Sequence, residues 1–477
     1  MHKISVKPHQ IGLLTLIAIG TILRLWDITE YSYWIDELYS AARAIPEKDF
    51  IDVYYWGPEP HPPAHYLLLW AAYNLFGYHE IVGKLISALA GVLCIPAIYC
   101  LGKIMFSRSV GVYAAIILTI TPSLIYYSQE ARPYELMVLF SILSSYLFFL
   151  IRDKKTTLRV ILYICASIFL INLHFFGVWI FAAQIIFVAT YIFRSYKNDE
   201  VIFYFLLFTL IGASYIPLIS QMLQAASRGG TWIPDVNVMA YIFECFSAYF
   251  GSHNIFRPYQ NIEISFTGVL VFVIFIFSYI KMVVSHKKVS ASVTYISLVF
   301  LFIYLVSIVL GIYLSPIFNA RNSLAALPFI ILIIAWGIHS FEIKKGYGLF
   351  FLTALLIFSN LTFYKNFQRE DWKSAIKIAS DIPSPYDKKN HIYVGAWEHE
   401  WLVYKKWLKL DLPIVELKDL QLSSYQDGDQ IWVLWATVKP EDLSNNGIDV
   451  EPILAKLEEI TKLETTRAGL IQYKISK

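Results

Sequence analysis

The stretch IGLLTLIAIGTILRLWDITEYSYWIDEL, residues 11–38, decides the fold. An apolar run from Ile11 to Trp26 is followed by the aromatic anchors Tyr31, Tyr33 and Trp34, and then by two adjacent acids, Asp36 and Glu37. Carboxylates this close to a bilayer are costly, so they usually serve water, a metal or a substrate. Apolar runs of roughly 16–24 residues, about the length that crosses a bilayer, then recur through residue 364. With 57% hydrophobic and only 16% charged residues and a mean hydropathy of +0.54, the 477-residue chain reads as a polytopic membrane protein.

The expected fold class is mostly α. Spans are expected at about residues 9–26, 80–101, 110–127, 134–151, 158–174, 176–194, 201–219, 263–284, 292–314, 324–341 and 347–364, roughly eleven helices. The positive-inside rule supports this frame. Lys3 and Lys7, Lys103 and Arg108, Arg152 with Lys154, Lys155 and Arg159, Arg194 and Lys197, Lys281 with Lys287 and Lys288, and Lys344 with Lys345 all fall in alternate connections. That side is the cytoplasmic one, with the N-terminus on it. No small-residue cleavage site follows the first apolar run, so it is expected to remain as an uncleaved signal anchor. Pro63–Phe76 is apolar but short for a span, and counting it would invert every later loop. It is expected to be a juxtamembrane or re-entrant helix of the first external loop.

The opposite, extracytoplasmic face then receives residues 27–79, the Tyr127–Tyr134 turn, the His174 turn, a long loop over 220–262, the Ser315–Ser323 turn and everything beyond 364. Two domains are expected: a membrane domain over 1–364 and a soluble α/β domain over 365–477. In the tail, 371–380, 398–410 and 451–462 read as helices. Residues 392–394, 431–434 and 470–475 read as strands, and 383–389 and 425–429 as turns.

Composition excludes several function classes. A net charge of +3 with scattered Lys and Arg argues against nucleic acid, while 13 Trp and 33 Tyr suit interfacial positions. Cys94, Cys100 and Cys165 lie in apolar runs, Cys245 stands alone in the long loop, and no disulfide framework is expected. There is no Walker A motif, no G-x-G-x-x-G, no H-E-x-x-H and no G-x-S-x-G.

The polar oddities gather on the external face. Asp36 or Glu37, held at a membrane surface, could take a proton from a nucleophilic hydroxyl, or both could be solvated acids behind an aromatic anchor. Glu59-Pro60-His61-Pro62-Pro63 is stiffened by its prolines and could fix Glu59 and His61, or simply start a helix. In Ser128-Gln129-Glu130-Ala131-Arg132-Pro133-Tyr134, Arg132 could pair with Glu130 or grip a phosphate through its fork. Arg321 precedes a span on the side where basic residues are scarce, which suits an anion, a salt bridge or an interfacial snorkelling role. His174, at another external helix end, is the type of residue that more often packs with a hydrogen bond.

Taken together, Asp36-Glu37, His61-Pro62-Pro63, Tyr127 through Tyr134, Leu173-His174-Phe175-Phe176-Gly177 and Arg321 ahead of Ala326-Leu327-Pro328 resemble a known family. It comprises the bacterial relatives of the protein O-mannosyltransferases and the lipid A aminoarabinose transferase, which are GT-C fold glycosyltransferases using polyprenyl-phosphate sugars. The resemblance covers roughly residues 10–340 and is weak over the tail. It implies an inverting hexosyl or pentosyl transfer to an acceptor hydroxyl at the outer face of the cell membrane. Asp36 would be the catalytic base and Glu37 its neighbour in the acceptor site. Glu59, His61, Glu130 and His174 would line the substrate, and Arg132 and Arg321 would hold the donor phosphate. One departure stands out: Ala64-His65 follows His-Pro-Pro, where the mannosyltransferases carry a lysine.

The implied partners are a polyprenyl-phosphate sugar, the membrane, and a lipid, glycan or protein acceptor. No cofactor is called for with certainty. Acids beside histidines could hold a divalent metal, while phosphate gripped by arginines does not require one. A transporter or flippase of lipid-linked sugars is the main alternative, although carriers place polar groups at the midplane of several spans and often show internal repeats. An oligosaccharide-to-protein transferase lacks support from a Trp-Trp-Asp motif, and a non-catalytic scaffold is the remaining reading.

Overall fold

The computed structural model describes residues 8–55, 61–195, 198–221, 238–251, 264–285, 290–313, 317–341, 345–366, 369–380, 390–394, 398–410, 414–421, 423, 425–427, 429–436, 439–442, 450–465 and 467–475. Glu59 therefore lies outside the described residues, as does the turn expected over 383–389.

The chain begins with α1 (Pro8–Leu25) and then forms the short helices α2 (Ile35–Arg43), α3 (Phe50–Tyr54) and α4 (Ala64–Phe76). Long apolar helices follow: α5 (Glu80–Met105), α6 (Arg108–Thr119) with the short α7 (Pro122–Tyr127), α8 (Tyr134–Asp153), α9 (Thr157–Leu173), α10 (Gly177–Ser195) and α11 (Asn198–Ala213). Beyond these come α12 (Val238–Phe250), α13 (Phe266–Val284), α14 (Ser290–Phe300) running through a π-turn into α15 (Ser307–Tyr313), α16 (Leu327–Ser340) and α17 (Lys345–Asn366).

Every expected span overlaps one of these helices. Among the described residues, seven helical segments are long and apolar enough to cross a membrane, and four more apolar helices are shorter: Gln10–Leu25, Arg108–Thr119, Thr157–Leu173 and Gly177–Thr190. The protein is a multi-pass membrane protein. Helix α4, at 13 residues, is about 20 Å long, short of the ~30 Å hydrocarbon thickness. It packs against α2, α3 and α5. The region expected to be a long loop contains α12, and Cys245 is a buried residue of that helix rather than a loop cysteine. Residues 244–250 of this helix are buried, and Phe246 meets Phe272 of α13 at 5.0 Å.

The tail is an α/β unit. Helix α18 (Trp372–Ser380) and α19 (Glu398–Trp407) flank a sheet of β1 (Asn390–Val394), β2 (Val415–Glu416), β3 (Gln430–Ala436), β4 (Leu457–Thr465) and β5 (Ala468–Ile475), in the order β2-β1-β3-β5-β4. β1 runs parallel to β2 and β3, whereas β5 is antiparallel to β3 and β4. Strand alternation divides β3 cleanly. Leu434 and Ala436 face one core, and Ile431, Val433 and Trp435 face another.

The helix expected over 451–462 is corrected here. Only Glu451–Leu454 is helical (α20), and Leu457–Thr465 is the edge strand β4. Ile453, Leu454, Leu457 and Ile460 are spaced as a helix would space them. Antiparallel pairing to β5, with an irregularity at Glu459/Thr461, overrides that local pattern.

The tail and the first loop share one hydrophobic core. Tyr33, Leu38, Leu69, Tyr73 and Ala131 pack with Trp372, Ile376, Trp401, Tyr404, Leu434 and Leu470, all fully or almost fully buried. This joint core brings the tail onto the polar face of the membrane bundle.

Candidate active site

Helix α2 carries the two acids in its first turn, where the helix dipole favours negative charge. At 3.6 residues per turn, adjacent side chains diverge by about 100°, so Asp36 and Glu37 serve different surroundings.

Asp36 faces the more open side, its side chain 33% exposed. Its Oδ2 meets Arg321 Nη1 at 3.1 Å and Arg132 Nη2 at 3.7 Å. Arg132 also donates through Nη1 to the Asp36 carbonyl at 3.0 Å and to Ser40 Oγ at 2.8 Å, which ties it to the next turn of α2. Arg321 lies 5.3 Å from the centre of the Trp34 ring, a cation–π contact. Burial is the largest influence and disfavours the Arg132 charge, yet Asp36 together with Tyr134 and Tyr66 outweighs it and holds the guanidinium's pKa above its ordinary value. Two cations thus share one carboxylate.

Glu37 faces inward and is fully buried. Its Oε1 accepts from the Ala131 amide at 2.7 Å, and its Oε2 from the Trp34 amide at 3.3 Å. The second contact satisfies an orphan amide at the α2 N-terminus, as in half of a capping box. Arg369 Nη1 pairs with Glu37 Oε2 at 3.2 Å, and Arg369 Nη2 with Glu130 Oε1 at 3.0 Å. Glu130 also accepts from the Tyr126 hydroxyl. Burial pushes both carboxyls up, Glu130 to about 7, while Arg369 opposes the rise. One cation here serves two carboxylates, the reverse of the Asp36 side.

The histidines lie beside this pair of clusters. His61 and His174 rings are 4.9 Å apart, and His174 lies 5.8 Å from Tyr134. His174 Nδ1 accepts from the Phe176 amide at 3.2 Å, while His174 Nε2 and His61 Nδ1 are buried without a hydrogen-bond partner. Burial, reinforced by Arg132 and Arg321, lowers both pKa values, His174 to about 3, so both rings are neutral. His65 donates through Nε2 to the Ala131 carbonyl at 3.1 Å and is also pushed down to about 3. Among the described residues, no three His, Cys, Asp or Glu side chains come together as a metal site.

The structure therefore brings Asp36, Glu37, His61, Glu130, Arg132, His174 and Arg321 into one neighbourhood. Sequence reasoning missed Arg369, Tyr126, Ser40 and His65. Arg369 carried no such signal, because it lies beyond the last span in a Lys-containing segment that reads as soluble.

Residues 60–219 match the family model described as dolichyl-phosphate-mannose-protein mannosyltransferase. No curated protein matches the sequence. Among solved structures, ArnT from Cupriavidus metallidurans in the apo state superposes with a TM-score of 0.60 at 10% identity, covering 98% of both chains. The same protein bound to undecaprenyl phosphate gives 0.57 at 10% identity, covering 96% of this chain and 97% of that one. The archaeal oligosaccharyltransferase AglB from Archaeoglobus fulgidus, in complex with an inhibitory peptide and a dolichol-phosphate, gives 0.55 at 10% identity over 98% of this chain and 74% of that one. The chain thus has the GT-C fold in its ArnT-like form, together with a mannosyltransferase-type sequence match confined to residues 60–219.

Proposed function

We propose that the protein is a membrane glycosyltransferase that moves a sugar from a polyprenyl-phosphate donor to an acceptor hydroxyl at the extracytoplasmic face, with inversion at the anomeric carbon. The observation that carries this reading is the convergence of two guanidiniums, from Arg132 and Arg321, on the partly exposed carboxylate of Asp36. Two cations side by side suit a phosphate that would exchange with the carboxylate, beside an acid able to accept a proton. The solved relatives that bind undecaprenyl phosphate or dolichol-phosphate support a lipid phosphate as that anion.

On this reading, the donor phosphate takes over contacts with Arg321 and Arg132 and releases Asp36 from its ion pairs. The acceptor hydroxyl then gives its proton to Asp36 as its oxygen attacks the anomeric carbon. The bond from that carbon to the phosphate oxygen breaks, and the electron pair leaves on polyprenyl phosphate. Arg132 and Arg321 stabilise the charge that develops there, so no general acid is needed. Neutral His61 and His174 offer hydrogen bonds to sugar hydroxyls. Glu37 and Glu130 are buried and act on the substrate through the parts they position. Glu59 is retained as a substrate-site acid by its place before His61.

Proteoliposomes supplied with a polyprenyl-phosphate sugar and envelope acceptors test this against the carrier reading. Release of polyprenyl phosphate, with an inverted linkage in the product, supports the transferase. Movement of intact donor between leaflets without release of polyprenyl phosphate would favour the flippase.

A further inference from the structure

The acid–arginine site is built by the first loop, the Glu130–Arg132 turn and the segment before α16. A fourth contributor comes from the tail. Arg369 and Glu370 immediately precede α18, and both are buried. Glu370 holds the N-terminal flank of α2 at two points. Its carbonyl accepts from Ser32 Oγ at 2.7 Å, and its Oε2 accepts from the Ile35 amide at 3.3 Å. That second bond satisfies another of the free amides at the start of α2. Glu370 is itself fixed by Trp372 Nε1 at 2.8 Å and by Arg467, in the β4–β5 connection, at 3.7 Å. A further tail group, the Tyr404 hydroxyl, accepts from the Tyr33 amide at 2.7 Å. Arg369 spans Glu37 on α2 and Glu130 on the adjacent turn, with its guanidinium 5.1 Å from the Tyr126 ring centre.

We propose that Arg369 and Glu370 are positioning residues of the active site, through which the C-terminal domain sets the first turn of α2 and hence the place of Asp36 relative to Arg132 and Arg321. The inference rests on the transferase reading above and adds the tail to the catalytic unit. A simple domain anchor would need only apolar packing, which Trp372, Trp401 and Tyr404 already supply. The polar contacts instead converge on residues 32–37, the turn that carries the base. Arg369 also aligns that turn with the Glu130–Arg132 turn, because one planar fork serves both carboxylates. A displacement of about 1 Å at a reacting group costs on the order of 10²-fold in rate.

The test uses full-length protein in liposomes, with undecaprenyl-phosphate sugar as donor and kcat normalised to sites counted by undecaprenyl phosphate binding. Arg369→Lys keeps a charge among the buried acids but cannot span both, and Glu370→Gln keeps the shape. Both should lower normalised kcat, Arg369→Lys by about 10²-fold, with donor KM within about threefold of wild type. Hydrogen exchange of the α2 amides 35–40 should quicken in both variants while α5 and α8 remain protected. Normalised kcat within twofold of wild type in both variants overturns the proposal. If wild-type protein consumes no polyprenyl-phosphate sugar, the transferase reading falls, and the exchange measurement still decides the clamp: unchanged α2 exchange overturns it.

Discussion

Arg321 and Asp36 stand 285 residues apart in the chain and are joined by a 3.1 Å ion pair. The pair ties the segment before α16 to the first turn of α2, and Arg132 closes on the same carboxylate oxygen from a third element. Three segments separated by membrane helices therefore meet at one acid.

The two arginines should not be equivalent. Arg321 meets Asp36 at its carboxylate, so Arg321→Met is expected to weaken donor binding while leaving α2 in place. Arg132 also holds the Asp36 carbonyl and Ser40. Arg132→Met should therefore lower both donor affinity and kcat, each by at least about tenfold, and Lys should restore little because it lacks the planar fork. Steady-state kinetics with a polyprenyl-phosphate sugar separates the two patterns. Identical losses in both variants would count against distinct roles.

Glu130 predicts a pH signature. Burial raises its carboxyl from 4.5 to about 7, so between those values the native protein holds a proton that the unfolded chain has released. Its contribution is thus fully present below about pH 4.5 and is lost as pH rises through 7. Glu130→Gln removes this term. On acidification from pH 7 to 5, the variant should lose stability more steeply than wild type, by about 1.4 kcal/mol per pH unit. The neutral histidines His65 and His174 pull the other way in both proteins, since the unfolded chain takes up their protons below about pH 6.5. Denaturant unfolding across this range measures the difference in slope, and parallel slopes would remove the assignment of a buried proton to Glu130.

Gly83 sets how closely the first loop and the Glu130–Arg132 turn approach α5. A Cβ at this position would lie 2.2 Å from the Tyr33 hydroxyl, 2.9 Å from the Tyr73 hydroxyl and 3.0 Å from Ala131 Cβ. Ala131 supplies both the amide bound by Glu37 and the carbonyl bound by His65. Gly83→Val is therefore expected to cost about 1–3 kcal/mol through overpacking and to reduce activity disproportionately by moving this turn. Gly12 provides the contrast: a Cβ added there would meet no atom within 4 Å, and Gly12→Ala should leave both properties unchanged.

Much of this site could be read from the sequence because its charges stand where charge is costly. Asp36, Arg132 and Arg321 each broke the pattern of their surroundings, and the structure places them together. The facing of Glu37 could not be read, because an Asp-Glu pair does not say which acid turns inward until the neighbouring helices are packed. Arg369 was hidden by its position: it sits beyond the last span, in a segment whose composition reads as soluble, and only the shared core returns it to the membrane face. Strand β4 was misread for a related reason. Its apolar spacing suits a helix, and only its pairing with β5, a tertiary contact, makes it a strand.

The most direct measurement is the rate at which purified protein releases polyprenyl phosphate from a polyprenyl-phosphate sugar in the presence of acceptor, compared between wild type and Asp36→Asn. Loss of a general base should cost about 10²–10⁴-fold, with donor binding retained through Arg132 and Arg321. Release by Asp36→Asn within twofold of wild type would contradict the role of Asp36 as the base.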